Sequence, residues 1–240
     1  MLSLEGIRVI DLSRYGPGRY CTQLLADFGA EVITIEPPRI EMPKWDFLVG
    51  DKNPRYLAFN RNKKSMTLNL RKEEGRGILF KLLERADVMV EGFRPGVARR
   101  LGVDYESVRG INPRLIYCSI SGFGQSGPYS SRPAHDLNCV GYSGILDLTG
   151  PEEGPPAIIG TQIGDLVGFA YAAIGILLAL LSREKTGRGQ YVDISMLDGL
   201  ISWLWSAGVE YLQTGFIPRR GRTMLTGKYP CYDIYRTKEG

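Results

Sequence analysis

One histidine stands in the 240-residue chain: His135, inside the stretch SRPAHDLNCVGYSG. Imidazole titrates near neutrality, so this side chain can take and return a proton at ordinary pH. Asp136 is its neighbour, Asn138 follows, and the preceding Pro133 suits a helix start. Asp165 is the second candidate, just before the uncharged stretch 166–181. A carboxylate at a helix start is favoured by the macrodipole and disfavoured in its charged form by burial. The plain alternatives are a packed histidine and an aspartate that caps its helix. Residue types alone leave both pairs of readings open.

Basic residues form a third set: Arg39, then Arg61, Lys63 and Lys64 in RNKKS, then Arg71, Arg94 and Arg100. All lie near the ends of expected elements. Arg71 follows the strand SMTLNL and Arg94 follows DVMVEG. Loops at the carboxyl ends of parallel strands converge on one crevice, and guanidinium forks match phosphate oxygens. Ordinary solvated charge is the competing account. Arg219, Arg220 and Arg222 make the densest basic cluster, which reads equally as a surface loop or a phosphate contact. The turn RYGPGRY carries two glycines of a GxGxxG pattern, Gly16 and Gly18, but Cys21 stands in the third place. With Glu36 ending the next strand, a dinucleotide site is conceivable. A tight strand-to-helix turn is the simpler reading.

The elements that must position these residues alternate. Strands are expected at 7–12, 31–36, 65–70, 87–92, 115–120 and 190–195. Helical spacing of apolar residues separates them, as in Tyr20, Leu24 and Phe28, or in Ile78, Leu79, Leu82 and Leu83. The first strand–helix–strand unit predicts a right-handed crossover and a parallel sheet. The fold class is α/β, a Rossmann-like parallel sheet flanked by helices. Residues 128–160 are turn-rich. The stretch 166–181 is read as a fully buried core helix, being short for a bilayer. An apolar helix with Trp203 and Trp205 follows, and the last residues, YPCYDIYRTKEG, read as a strand entering a hairpin. Because no return strand follows, the chain is expected to be a fragment.

Length permits a large core, and 43% hydrophobic with 23% charged residues fits a globular protein. A net charge of +4 is too small to argue for nucleic acid, yet suits a polyanionic small molecule. Cys21, Cys118, Cys139 and Cys231 are scattered, which predicts no metal site and reduced thiols in a cytoplasmic protein. The start, MLSLEGIRVIDL, is not a signal peptide.

Seven motifs in one order carry a resemblance. They are GIRVIDLSRYGPGRYCTQLLADFGAEVITIEPP, RNKKSMTLNL, EGFRPGVARRLG, LIYCSISGFGQSGPY, AHDLN, the Gly164-Asp165 pair and EKTGRGQYVDISMLDG. Together, from residue 4 to 240, they resemble the family III CoA-transferase (CaiB/BaiF) superfamily, and AHDLN resembles its α-methylacyl-CoA racemase branch. The resemblance implies a CoA-binding large domain at 1–215 and, at 216–240, a linker with the start of a truncated small domain. It implies an acyl-CoA substrate, with coenzyme A as part of that substrate and no other cofactor, no metal, no nucleic acid and no membrane. It further implies an interlocked homodimer, closed by residues beyond Gly240.

For the site, the resemblance implies His135 and Asp165 as two bases on opposite faces of a 2-methylacyl-CoA, exchanging its α-proton through an enolate. Backbone N–H groups near the start of the Asp165 helix would hold the enolate oxygen. In the transferases of the superfamily the matching aspartate is instead a nucleophile, forming an acyl-aspartyl anhydride and then an aspartyl-CoA thioester. A CoA-binding fragment without catalysis is the third possibility. Leu68, Asn69, Leu70 and Arg71 match one CoA-contacting segment; Gly92, Phe93 and Arg94 match a second; Arg100 matches a nucleotide contact. Ala134, His135 and Asp136 match the loop over the thioester. Two positions depart from the racemase pattern. Pro37 stands where an arginine is usual, with Arg39 two residues on, and Cys139 replaces a tyrosine.

Overall fold

The computed structural model describes residues 2–38 and 54–238. Six strands form one parallel sheet: β1 (Arg8–Asp11), β2 (Glu31–Glu36), β3 (Lys63–Thr67), β4 (Val88–Glu91), β5 (Ile116–Ser121) and β6 (Tyr191–Ser195). Their spatial order is β3-β2-β1-β4-β5-β6, the doubly wound order, whose topological switch lies between β1 and β4. The central strands are buried on both faces. All four residues of β4 and all six of β5 lie inside, and their run of Val, Ile, Met and Tyr is what such burial requires.

The helices are α1 (Gly16–Asp27), α2 (Pro54–Asn60), α3 (Glu73–Leu83), α4 (Val97–Leu101), α5 (Tyr105–Val108), α6 (Asp136–Ser143), α7 (Ile145–Leu148), α8 (Ile163–Thr186), α9 (Met196–Trp203) and α10 (Trp205–Thr214). One face of the sheet buries Val9, Val32, Val88, Ile116 and Cys118 against α1 and α8. The other buries Ile10, Ile35, Met89 and Tyr117 against α3, α4 and α5. Alternation along each strand thus divides its side chains between two helical layers.

Four expectations change. The long helix α8 is not fully buried: Ile174, Leu178 and Leu181 are at least half exposed, while Ala172, Ala173, Ile176 and Ala179 pack inward. By length and composition it could cross a membrane, but its inward face sits on α1, β5, β6 and α9. The apolar helix with both tryptophans is two helices, divided at Leu204. The last residues form a 3-10 turn at Pro230–Tyr232 rather than a strand. The strand at 65–70 begins two residues earlier and ends at Thr67, leaving residues 68–70 in a turn.

Candidate active site

Asp165 lies in the first turn of α8, and its carboxylate faces the β1–α1 turn. A Cβ placed on Gly16 would sit 3.1 Å from Asp165 Oδ2. The glycine of RYGPGRY therefore lets the backbone approach the carboxylate, a role that the tight-turn reading did not contain. Glu36, the ribose candidate of the dinucleotide reading, is buried and paired with Arg19 at 3.2 Å. Tyr56 and Ser65 donate to its other oxygen at 3.2 and 2.9 Å. It is spent on internal contacts.

Asp136 approaches the same turn from α6. Its Oδ1 accepts the N–H groups of Gly164 at 2.6 Å and Asp165 at 3.2 Å. Asp136 thus supplies the cap that α8 lacks from its own Gln162. These are the second and third amides of the helix; the first, of Ile163, donates to the Thr161 carbonyl at 3.1 Å, so all three are already taken as donors. An oxyanion held at that helix start would have to use others. Burial, and then the Asp136 charge, push the Asp165 carboxyl up to about 6, while His135 acts in the opposite direction. Among the described residues the Asp165 carboxylate makes no hydrogen bond or ion pair. It is a partly shielded carboxyl with its lone pairs uncommitted, poised to titrate near neutrality.

His135 is exposed at the N-cap of α6, and its backbone N–H donates to Asn138 Oδ1 at 2.9 Å. Its neighbours on both sides are anchored inward. Asp136 caps α8, and Ala134 packs on Gly122 at the end of β5, where an added Cβ would come within 2.2 Å of the Ala134 Cβ. Cys139 lies beneath, its thiol 3.4 Å from the Gly122 carbonyl and pushed up to about 12, chiefly by burial. Gly122→Ala is expected to cost about 1–3 kcal/mol through overpacking. It should also displace the 134–136 loop, and a lowered urea midpoint is the measurement that checks it.

The remaining sequence candidates spread along the carboxyl edge of the sheet. Leu68 is buried and Leu70 half-buried, both packed into the core under α3, so only their backbone can face a ligand. Asn69 Oδ1 accepts the Arg71 N–H at 3.0 Å, closing the turn after β3. Gly75 fits against it because a Cβ there would meet the Asn69 carbonyl at 2.1 Å. Gly92 and Arg94 are exposed and Phe93 half-buried, directly after β4 at the switch point. Arg100, on α4, folds back so that Nη1 lies 3.6 Å from where a Gly96 Cβ would stand. Among the described residues Arg94 and Arg100 make no ion pair. The strands before Arg71 and Arg94 are three steps apart, roughly 14 Å at the usual spacing. They could serve different parts of one long ligand rather than one phosphate.

Arg39 lies outside the described residues. The RNKKS cations are committed elsewhere: Arg61 to Asp27, Lys64 to Glu31 and Lys63 to Asp11. Arg222 pairs with Glu152. The four cysteines are free thiols, three of them buried.

The sequence matches the profile of CoA-transferase family III over residues 4–240. It is 43% identical over 241 residues to an acetyl-CoA:oxalate CoA-transferase of Acetobacter aceti, covering 98% of this chain and 61% of the relative. A succinyl-CoA–D-citramalate CoA-transferase of Chloroflexus aurantiacus is 38% identical, with 99% and 60% covered. The human succinyl-CoA:glutarate CoA-transferase is 36% identical, with 99% and 55% covered. A crystal structure of a CAIB/BAIF family protein from Brucella suis superposes with a TM-score of 0.83 at 38% identity, over 91% of this chain and 60% of that one. The chain spans little more than half the length of the curated relatives it matches. With this fold, this motif order and these likenesses, the chain belongs to CoA-transferase family III.

Proposed function

We propose that the protein moves coenzyme A between carboxylic acids, with Asp165 as the covalent nucleophile. The carrying observation is the Asp165 carboxylate itself: shielded, uncommitted, and placed against Gly16 beside the switch-point crevice. In the proposed cycle the carboxylate attacks the thioester carbonyl of an acyl-CoA. The C–S bond breaks, giving an acyl-aspartyl anhydride and CoA thiolate. The thiolate attacks the aspartyl carbonyl, releasing the first acid and leaving an aspartyl-CoA thioester. A second acid attacks that thioester and regenerates a thiolate, which then takes the new acyl group and frees Asp165. Splitting the exchange in this way lets each acid react in turn with one enzyme-held carboxyl, so CoA passes between them without the two acids meeting.

The racemase that AHDLN implied yields to this reading because the relatives named above are transferases. The acids in their names, oxalate, citramalate and glutarate, are dicarboxylic, which makes a small dicarboxylate the first acceptor to try. Arg94 and Arg100, exposed on one loop-and-helix unit at the crevice, are assigned to CoA phosphates. Arg94→Ala is expected to raise KM for the acyl-CoA about tenfold with kcat held, more strongly at low salt.

The deciding test uses the complete gene product with succinyl-CoA and oxalate or glutarate, quenched with hydroxylamine. A hydroxamate at Asp165, found by peptide mass spectrometry, is the expected result. A proton-transfer reading draws on one observation, the influence of His135 on Asp165. Deuterium entering a 2-methylacyl-CoA in D₂O, without any Asp165 adduct, would establish that reading instead.

A further inference from the structure

Two buried carboxylates end the two middle strands of the sheet, β1 and β4, and they differ in one respect. Asp11, at the end of β1, accepts the Ser13 N–H at 2.8 Å and is paired with the buried Lys63 ammonium at 3.2 Å. Glu91, at the end of β4, accepts the Phe93 N–H at 2.7 Å and the Ser119 hydroxyl at 2.5 Å. It is 2% exposed, and no cation partners it among the described residues. The groups around it are Tyr117, Cys118 and Ser119 of β5 and Tyr191 and Asp193 of β6. Tyr191 donates to Ser119 Oγ at 3.1 Å and stacks on Tyr105 of α5. On the β1 side stands Asp11, already neutralised by Lys63. Among the described residues, no basic group is among those that act on the Glu91 carboxyl.

The N–H that Glu91 holds belongs to the middle of Gly92-Phe93-Arg94, the segment assigned above to CoA. We propose that Glu91 is a positioning residue for CoA: its bond to the Phe93 N–H holds this segment at the crevice, and the anion binds best when the carboxyl is neutral. A neutral carboxyl keeps one oxygen as acceptor for the Phe93 N–H and can donate from the other to Ser119. It also spares the incoming phosphates a fixed negative charge behind Arg94. Burial supplies the means, pushing this carboxyl up to about 7 against the opposing pull of the Ser119 and Phe93 hydrogen bonds, so both forms are populated at ordinary pH. Anion binding then favours proton uptake at Glu91, and by reciprocity a proton on Glu91 favours the anion.

The inference rests on the assignment of CoA to residues 92–94, and the test separates the two. Coenzyme A binding is measured by calorimetry at pH 6 and pH 8 on the wild type, Glu91→Gln, Glu91→Ala and Arg94→Ala. Glutamine mimics the neutral carboxyl. Glu91→Gln should equal the wild type at pH 6 and bind about fivefold or more tightly than it at pH 8. Ionisation of CoA itself is common to both proteins and cancels in that ratio. Glu91→Ala, without an acceptor for Phe93, should bind weakly at both pH values. Should it fail to fold, the glutamine comparison alone decides. A wild-type to Glu91→Gln ratio that is the same at pH 6 and pH 8 would overturn the proposal. An unchanged affinity in Arg94→Ala would instead remove the assignment on which it rests.

Discussion

Asp165→Asn is expected to abolish CoA transfer, by about a thousandfold or more, and at the same time to make the protein more stable. The first effect follows from removing the proposed nucleophile, since an amide cannot form the anhydride. The second follows from burial. The Asp165 carboxyl is held at about 6 against an ordinary value of 3.8, so folding favours its protonated form. Its stabilising share is complete below about pH 4 and is lost as pH rises through 6. At pH 7.5 the wild type therefore carries a charge that the fold disfavours. Relief of that charge is expected to add about 1–2 kcal/mol, seen as a rise of a few degrees in Tm. The gain should vanish when melting is repeated at pH 4. Wild-type turnover should fall on the acid side with a midpoint close to 6, because only the ionised carboxylate attacks. A mutant that is dead but no more stable at pH 7.5 would contradict the burial argument while leaving the nucleophile intact.

Lys63→Met should be the most damaging single change to stability, at about 3–5 kcal/mol. The ammonium is 1% exposed and reaches Asp11 Oδ2 at 3.2 Å, the Arg19 carbonyl at 2.8 Å and Thr22 Oγ1 at 2.8 Å. Thr22 also donates to Asp11 at 2.5 Å. These bonds tie β3 to β1 through α1, across the strand between them. Methionine fills the volume but leaves a carboxylate buried without its counter-ion. Burial already holds Lys63 below the usual lysine range, with Asp11 opposing, so the pair is a compensated one rather than a free gain. Asp11→Asn added to Lys63→Met should recover most of the loss, because the amide needs no cation. Urea unfolding of the two single variants and the double variant measures the coupling directly.

The parallel sheet was legible because alternation of short β-branched runs with helical spacing is a local property. Strand 31–36 appears at its expected bounds, and the β4 and β5 runs within one residue of theirs. What escaped is non-local. Nothing near Lys63 in the sequence says that its partner is Asp11, 52 positions away. Asp136 sits next to the lone histidine and drew a ligand-binding reading, but its first task is to cap α8 from another helix. Helix α8 carries apolar residues all round, so composition could not say which face is covered. The RYGPGRY turn was read from its shape alone. The meaning of Gly16 needed Asp165, which folding brings to it. The helix at 54–60 went unread because PRYLAFN is too short to show a period.

The strand order also has a consequence in time. A ribosome delivers β1, α1, β2 and β3 first, and these can pair among themselves. The far side of β1 stays open until β4 arrives, 79 residues after the Arg8 whose N–H bonds Asp87. The inner face of α1 waits longer still, because its cover is α8. Gly16 and Asp165, about 150 residues apart, are therefore among the last partners to meet. The nascent chain holds a half-built sheet long before Asp165 reaches Gly16. Pulse-labelling hydrogen exchange during refolding should find β1 and β2 protected before α8, with the Asp165 carboxylate brought into place at the end.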